Sequence, residues 1–158
     1  MPALGINVRL AGDADRASIA VLFATVAEER TGIAAEPPID VEQLAADWRI
    51  DGTLVAVADG EVVGEINVDP SWMGFGEIGM FVAADWRGRG VGTALVAAAI
   101  EWGRARGLHK LALSVFPHND AAIALYWKFG FAEEGRLMQH VRRANGDLWD
   151  LIEMGLLL

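Results

Sequence analysis

The chain has 158 residues, 53% of them hydrophobic, and a formal net charge of −9 at pH 7, so residues 1–158 are expected to form one domain around a single core. The negative net charge argues against general affinity for nucleic acid, and no apolar run reaches the roughly 18 residues of a membrane-spanning helix. The absence of cysteine excludes disulfides and a thiol nucleophile. The N-terminal residues, MPALGINVRL, lack the basic and apolar regions of a secretory signal, so a cytoplasmic location is expected.

The first half of the sequence predicts two helices and three strands. In chain order these are a strand at residues 7–10, a helix that begins at Asp13 or Asp15, a helix at residues 40–49, and strands at residues 53–58 and 62–68. Apolar residues at helical spacing from Ile19 to Val26 indicate the first helix, and the dipeptide Asp59-Gly60 indicates a tight turn between the two strands. Residues 31–38, TGIAAEPP, break the helical pattern and are expected to form a mobile loop.

The second half predicts two long connections that cross between strands as helices. The elements are a strand at residues 76–82, a helix at 90–106, a strand at 110–115, a helix at 119–129, and a hairpin with strands at 131–141 and 148–157. Gly107 and Gly130 suit the ends of the two helices, and Asn145-Gly146 suits the turn of the hairpin. This order predicts a mixed α/β sheet with helices on both faces.

Residues 87–93, RGRGVGT, join a predicted strand to a long alanine-rich helix. A glycine loop at a helix N-terminus exposes unpaired backbone N–H groups and the positive end of the helix dipole, which together suit a diphosphate. Gly90 and Gly92 allow close approach of a ligand because neither has a side chain. Arg87 and Arg89 add positive charge that suits phosphate, or else belong to a solvated loop. A basic patch in an acidic protein suggests an anionic cofactor and a cationic co-substrate, unless the acidity serves only solubility.

Other phosphate-binding loops fit this stretch less well. A nucleoside triphosphate loop ends in Gly-Lys-Ser/Thr, whereas Gly92-Thr93 lacks the lysine. A dinucleotide loop has the spacing Gly-x-Gly-x-x-Gly and an acidic residue after the next strand. This chain has Gly88-x-Gly90-x-Gly92, and the strand at residues 110–115 ends without an acid. A connecting turn without a ligand is disfavoured by three alternating glycines flanked by two arginines.

The loop resembles the Arg/Gln-x-x-Gly-x-Gly/Ala signature of the GCN5-related N-acetyltransferase (GNAT) superfamily, which binds acetyl-CoA. Residues 80–82, MFV, and 119–131, NDAAIALYWKFGF, match other parts of the same pattern in order and spacing. The resemblance extends from about Leu54 to the C-terminus and is greatest to small bacterial members that acetylate amino acids or related amines. It implies an α/β (α+β) fold with a mixed, mostly antiparallel sheet of about six to seven strands and helices on both faces. The sheet would be splayed between its fourth and fifth strands, at residues 76–82 and 110–115.

By this resemblance, one set of residues is expected to bind acetyl-CoA. The backbone of the strand before the loop would pair with the two amides of the pantetheine arm, and the loop backbone would cradle the diphosphate. The set comprises Met80, Phe81, Val82, Arg87, Gly88, Arg89, Gly90, Val91, Gly92, Thr93 and Asn119. Asn119 also suits a helix N-cap, and both roles can hold because they use different side-chain atoms.

The resemblance also assigns two proton transfers. Tyr126, on the same helix face as Asn119, would protonate the departing CoA thiolate, or else it is a core aromatic residue. Glu77 would deprotonate the attacking amine, directly or through water, or else it faces solvent; the histidines remain as other candidates for the base. An amine like that of lysine, with a pKa of about 10.4, needs more help to lose its proton than an α-amine with a pKa of about 8. No pair of histidines has metal-ligand spacing on a helix, so no metal is expected.

These features predict an enzyme that transfers an acetyl group from acetyl-CoA to the primary amine of a small molecule, by direct attack in a ternary complex. The alternatives are a protein N-terminal or lysine acetyltransferase and, in another class, a non-catalytic CoA-binding sensor. Residues 31–38 and the turn at residues 70–74, which contains Trp72, are expected to shape the acceptor pocket. No nucleic-acid or membrane partner is expected. The apolar C-terminal strand, ending in LLL, suggests either a homodimer or burial in the core.

Overall fold

The structure, a computed structural model, describes residues 5–158 of the chain. Its strands and helices are β1 (Asn7–Leu10), α1 (Arg16–Ala27), α2 (Val41–Asp47), β2 (Thr53–Ala58), β3 (Glu61–Pro70), β4 (Phe75–Val82), α3 (Val91–Ala105), β5 (Lys110–Val115), α4 (Asp120–Lys128), β6 (Ala132–Arg142) and β7 (Leu148–Leu157). Short 3₁₀ turns lie at Asp13–Asp15 and Ala84–Trp86.

The seven strands form one sheet in the order β1-β2-β3-β4-β5-β7-β6. Neighbouring strands are antiparallel except β4 and β5, which are parallel. The predicted mixed, mostly antiparallel sheet is therefore confirmed. Asp59-Gly60 joins β2 to β3 and Asn145-Gly146 lies between β6 and β7, and both glycines have the positive φ that such turns favour, 76° and 94°.

Helices cover both faces of the sheet, because buried apolar residues alternate between the faces along the central strands. On one face, Ile19 and Val26 of α1 belong to the same buried cluster as Val55 of β2. On the other face, α3 approaches β3 closely at Gly64, where a β-carbon would lie 3.0 Å from Leu95 Cδ1. Within residues 5–158, no helix is both long enough and apolar enough to cross a membrane.

The second helix ends earlier than predicted, for reasons that lie in its two flanking residues. The carboxylate of Asp40 accepts a hydrogen bond from Gln43 N at 3.0 Å, so Asp40 is the N-cap. Trp48 already has an extended backbone, with ψ of 123°. Its ring lies 5.5 Å from that of Phe23 and 5.9 Å from that of Phe81, edge to face in both pairs. Ending α2 at this point therefore places an aromatic ring against the sheet.

β4 and β5 pair over a short stretch and then separate. The paired residues are Phe75 with Lys110, Gly76 with Leu111, and Glu77 with Ala112. Residues 78–82 of β4 have no partner on β5, whose other edge pairs with β7. We call this gap the split. It confirms the predicted splay between the fourth and fifth strands.

The three C-terminal leucines have different surroundings. Leu156 and Leu158 pack against the core, whereas Leu157 is exposed. Burial in the core therefore accounts for two of the three, and a homodimer stays a prediction.

Candidate active site

A cavity of about 870 Å³ lies at the split. One part of its wall comes from β4, the loop at residues 86–90, the first turn of α3 and one face of α4. The other part comes from the end of α1, residues 31–35, β3 and β5. The predicted site residues on the wall are Met80, Phe81, Val82, Arg87, Gly88, Gly90, Gly92, Thr93, Asn119 and Tyr126. Glu77, Arg89 and Val91 are not on it.

The glycine loop presents backbone donors to this cavity. Gly88 and Gly90 have φ of 73° and 87°, a left-handed conformation in which a side chain would be strained. α3 begins directly after Gly90, and the first hydrogen bond along it runs from Ala94 N to Gly90 O at 3.1 Å. The N–H groups of residues 91–93 therefore have no helical acceptor and lie at the positive end of the helix dipole. This geometry fits a diphosphate.

Gly92 and Val91 also serve the packing of the helices. A β-carbon at Gly92 would lie 2.9 Å from Leu125 Cδ2 and 3.6 Å from Met80 Cε, so the glycine lets α4 pack closely on the first turn of α3. The side chain of Val91 is buried in the core beneath α3. The side chain of Val91 is therefore not available to a ligand.

The two loop arginines have different surroundings. Arg87 forms a bidentate ion pair with Glu29, with N–O distances of 2.6 and 2.8 Å, and its Nε donates to Val82 O at 3.0 Å. The two hydrogen bonds from Arg87 to the Glu29 carboxylate lower the pKa of Glu29. The guanidinium of Arg89 lies 4.9 Å from the centre of the Trp86 ring and forms no salt bridge within residues 5–158. Arg89 therefore places beside the loop a positive charge that forms no ion pair within residues 5–158.

The pairing of β3 with β4 decides which backbone groups face the split. Ala83 N donates to Val63 O at 2.8 Å, and hydrogen-bonded residues alternate along an antiparallel ladder. The N–H and C=O of Phe81 therefore bond to β3, while those of Met80 and Val82 point toward the open side. A strand-like ligand would meet the backbone of Met80 and Val82, but only the side chain of Phe81.

Asn119 and Tyr126 lie on the α4 side of the cavity. Asn119 Oδ1 accepts a hydrogen bond from Ala122 N at 3.3 Å, so Asn119 is the N-cap of α4 and its Nδ2 remains for a ligand. The ring of Tyr126 packs 5.5 Å from that of Phe131, and the residue is buried. Burial raises the pKa of the Tyr126 hydroxyl to about 12, so it is protonated at neutral pH and can donate a proton.

A polar pair on β3 was not predicted from the sequence. Glu65 is 0% exposed, and its two carboxyl oxygens lie 2.9 and 3.3 Å from the donor Asn67 Nδ2. Burial raises the pKa of Glu65 to about 8, although the hydrogen bond from Asn67 opposes this. Asn67 lines the cavity. A signal was available, because residues two apart on a strand share a face and this strand is otherwise largely apolar.

Glu77 lies at the foot of the split. It is exposed, and it is the last β4 residue paired with β5. On β3 its partner is Asp69, one pair beyond Asn67 and Gly79 on the same sheet face. Any proton transfer from the cavity to Glu77 would therefore pass through water.

Residues 31–35, part of the loop at residues 31–38 that was predicted to be mobile, line the cavity and are anchored to distant segments. Arg143, which is 3% exposed, donates to Ala34 O at 2.9 Å from the turn between β6 and β7. His118 Nε2 lies 2.7 Å from Thr31 O. The loop is thus tied at both ends to segments distant in sequence.

The turn at residues 70–74, expected to shape the acceptor pocket, contributes no residue to the wall, so that prediction is wrong; its Trp72 is 93% exposed. The reason is topological, because the turn between β3 and β4 lies at the end of β4 that is paired with β5, and the split opens at the other end. Ser114 of β5 is on the wall instead, and its hydroxyl donates to the carboxylate of Glu153 on β7.

Residues 22–131 match a family model described as the acetyltransferase (GNAT) family. The chain is 32% identical over 147 residues to the L-methionine sulfoximine/L-methionine sulfone acetyltransferase of Pseudomonas aeruginosa, a match that covers 86% of each chain. The ribosomal-protein-alanine N-acetyltransferase from Brucella melitensis has a TM-score of 0.86 and 31% identity, over 96% of this chain and 99% of that chain. YncA from Salmonella typhimurium, solved with its cofactor acetyl-CoA, has a TM-score of 0.86 over 98% of this chain and 94% of that chain. Its 23% identity shows likeness of fold alone.

Proposed function

The chain belongs to the acetyltransferase (GNAT) family and is an N-acetyltransferase, and from this premise we propose that it acetylates the primary amine of a small molecule, an amino acid or a related amine, with acetyl-CoA as donor. The observation that carries the proposal is one cavity that joins the glycine loop to the polar side chain of Asn67 on β3. Donor and acceptor can meet in that space, as direct transfer in a ternary complex requires. The Pseudomonas aeruginosa relative supports a small acceptor, since it is named for methionine sulfoximine and methionine sulfone.

The donor side of the cavity fits acetyl-CoA. Gly88 and Gly90 form a cradle that glycine adopts without strain, and the N–H groups of residues 91–93 suit the diphosphate. The backbone of Met80 would pair with the pantetheine amides, and Asn119 Nδ2 would donate to the same arm. When bound, acetyl-CoA supplies a thioester carbonyl that the amine can attack.

Two side chains carry the proton transfers in this proposal. Tyr126, which keeps its proton at neutral pH, donates it to the departing sulfur. Glu77 remains the proposed base, acting through water because it lies outside the cavity wall. An α-amine with a pKa of about 8 is partly neutral at pH 7. Deprotonation through water is therefore better suited to an amino acid than to a lysine side chain.

A protein N-terminus is the second candidate acceptor. It is favoured by the likeness to the ribosomal-protein-alanine N-acetyltransferase of Brucella melitensis. The anchored residues 31–35 count against it, because they form part of the cavity wall and are held at Thr31 and Ala34, which restricts the room for a peptide. The small-molecule acceptor is therefore preferred.

Thiol release from acetyl-CoA tests the choice between these acceptors. The panel contains amino acids, methionine sulfoximine, polyamines, aminoglycosides and basic peptides. We expect the highest kcat/KM with an amino acid or a close analogue. Turnover confined to peptides would support the protein acceptor, and tight CoA binding with no turnover on any amine would leave a CoA-binding sensor as the better description.

Replacing Arg89 with alanine is expected to raise the KM for acetyl-CoA about fivefold at low salt and to leave kcat unchanged, since an exposed charge contributes about 1 kcal/mol to binding. Its guanidinium lies beside the loop without an ion pair inside residues 5–158, so it is available to phosphate. The effect should shrink in about 0.5 M salt because exposed charges are screened. Arg104→Ala, the same change at the far end of α3, is the control. An unchanged KM at low salt would assign Arg89 to a solvated loop.

A further inference from the structure

Glu65 is a buried carboxyl that the proposed mechanism does not use. Its neighbours across the sheet are Val55 and Phe81, which belong to the apolar cluster beneath α1. A polar group in such a layer destabilises the fold unless a hydrogen bond compensates. The only side chain that bonds to Glu65 within residues 5–158 is Asn67. The carboxyl therefore acts on one neighbour, and that neighbour lines the cavity.

The carboxamide of Asn67 lies beside the neighbouring strand, β4. Its partner on β4 is Gly79, where a β-carbon would lie 3.5 Å from both Nδ2 and Oδ1 of Asn67. The amide thus lies over Gly79, which precedes Met80 in the part of β4 that has no partner on β5. Because Nδ2 donates to Glu65, Oδ1 is the atom left to accept a hydrogen bond in the cavity.

We propose that Asn67 Oδ1 accepts a hydrogen bond from the amine of the acceptor, and that Glu65 is a positioning residue that fixes the orientation of the Asn67 carboxamide. The proposal rests on the proposed function and adds the contact that holds the nucleophile. An amine needs an acceptor to direct its lone pair toward the thioester carbonyl, and a carboxamide oxygen fixed over Gly79 supplies one. Asp69 and Glu77 continue the same sheet face, and their negative charge favours a cationic amine over a neutral ligand.

Four variants test the proposal by steady-state kinetics with the best amine of the panel. Asn67→Ala is expected to raise the KM for the amine about tenfold or more, the loss of a hydrogen bond to a charged group, while the KM for acetyl-CoA changes less than about twofold. Glu65→Leu removes the acceptor for Asn67 Nδ2 and is expected to act in the same direction. Glu65→Gln keeps one carbonyl oxygen and is expected to fall between wild type and Glu65→Leu. Asn145→Ala, in the exposed turn between β6 and β7, is the matched control.

The outcomes separate this inference from the proposed function. If the wild type turns over no amine, the proposed function fails and the inference fails with it. If the wild type turns over an amine and Asn67→Ala leaves its KM unchanged, the inference alone is overturned. A Glu65→Leu protein with a lowered melting temperature and an unchanged amine KM would show that Glu65 is structural only. If Glu65→Leu does not fold, Asn67→Ala and Glu65→Gln still decide the question.

Discussion

Replacing Tyr126 with phenylalanine is expected to lower kcat for acetyl transfer about 100-fold, within the range of general acid catalysis, with little change in either KM. Tyr126 lies on the cavity wall, and the raised pKa of about 12 keeps its hydroxyl protonated across the working pH range. Without this donor, water must protonate the departing thiolate. The phenylalanine ring keeps the packing against Phe131, so the change removes chemistry and leaves the fold intact.

Trp127→Phe is the matched control for that variant. Trp127 is the next residue on α4, it is exposed, and it is not on the cavity wall. The high-pH limb of the wild-type rate should also lie above about pH 10, because the proposed acid loses its proton only near its pKa of about 12. A Tyr126→Phe enzyme with kcat within threefold of wild type would show that Tyr126 is a core aromatic residue and that the thiolate leaves without it.

Between pH 4.5 and 8, the wild-type protein is expected to lose stability relative to Glu65→Gln, on the order of 4 kcal/mol over the whole interval. Burial raises the pKa of Glu65 from 4.5 to about 8. In this interval the folded carboxyl keeps its proton and the unfolded one releases it, so the folded state binds more protons. The free energy of unfolding therefore falls as pH rises. The stability that the protonated Glu65 carboxyl contributes is fully present below pH 4.5 and is lost above pH 8.

Urea unfolding at pH 5, 6.5 and 8.5 measures this difference. The side chains that flank Glu65 from β2, β4 and α1 are apolar, so no neighbouring charge obscures its titration. Glu61→Gln, an exposed glutamate at the start of the same strand, is the control and should show no such trend. A difference between wild type and Glu65→Gln that stays constant from pH 5 to 8.5 would mean that the Glu65 carboxyl titrates normally.

The fold and the glycine-loop wall of the cavity could be predicted largely from local sequence. Alternation of apolar residues, together with Asp59-Gly60 and Asn145-Gly146, determines the hairpins, and the glycine loop determines the start of α3. Local signals are less reliable at element ends. α2 ends before Trp48 because that ring packs on Phe23, a contact between α1 and α2 that no local pattern encodes.

The contacts that distant segments make around the cavity could not be predicted in the same way, because no local pattern encodes them. Arg87 was expected to face phosphate but pairs with Glu29, 58 residues away. The loop at residues 31–38 was expected to be mobile, yet Arg143 donates to Ala34 across 109 residues of sequence. The role of Glu65 follows from its burial by α1, which is set by tertiary packing rather than by β3 itself.

The split has a consequence for which activated acyl compounds can serve as donors. The N–H and C=O of Met80 and the N–H of Val82 face it without a strand partner and bond to water when no ligand is present, whereas Val82 O already accepts a hydrogen bond from Arg87 Nε. A thioester with amides along its arm can replace that water bond for bond, whereas a short thioester without amides would displace it and leave the groups unpaired. The enzyme would therefore discriminate among acyl donors by whether the arm attached to the sulfur contains amides. Simple metabolic thioesters with an equally reactive carbonyl would be left untouched.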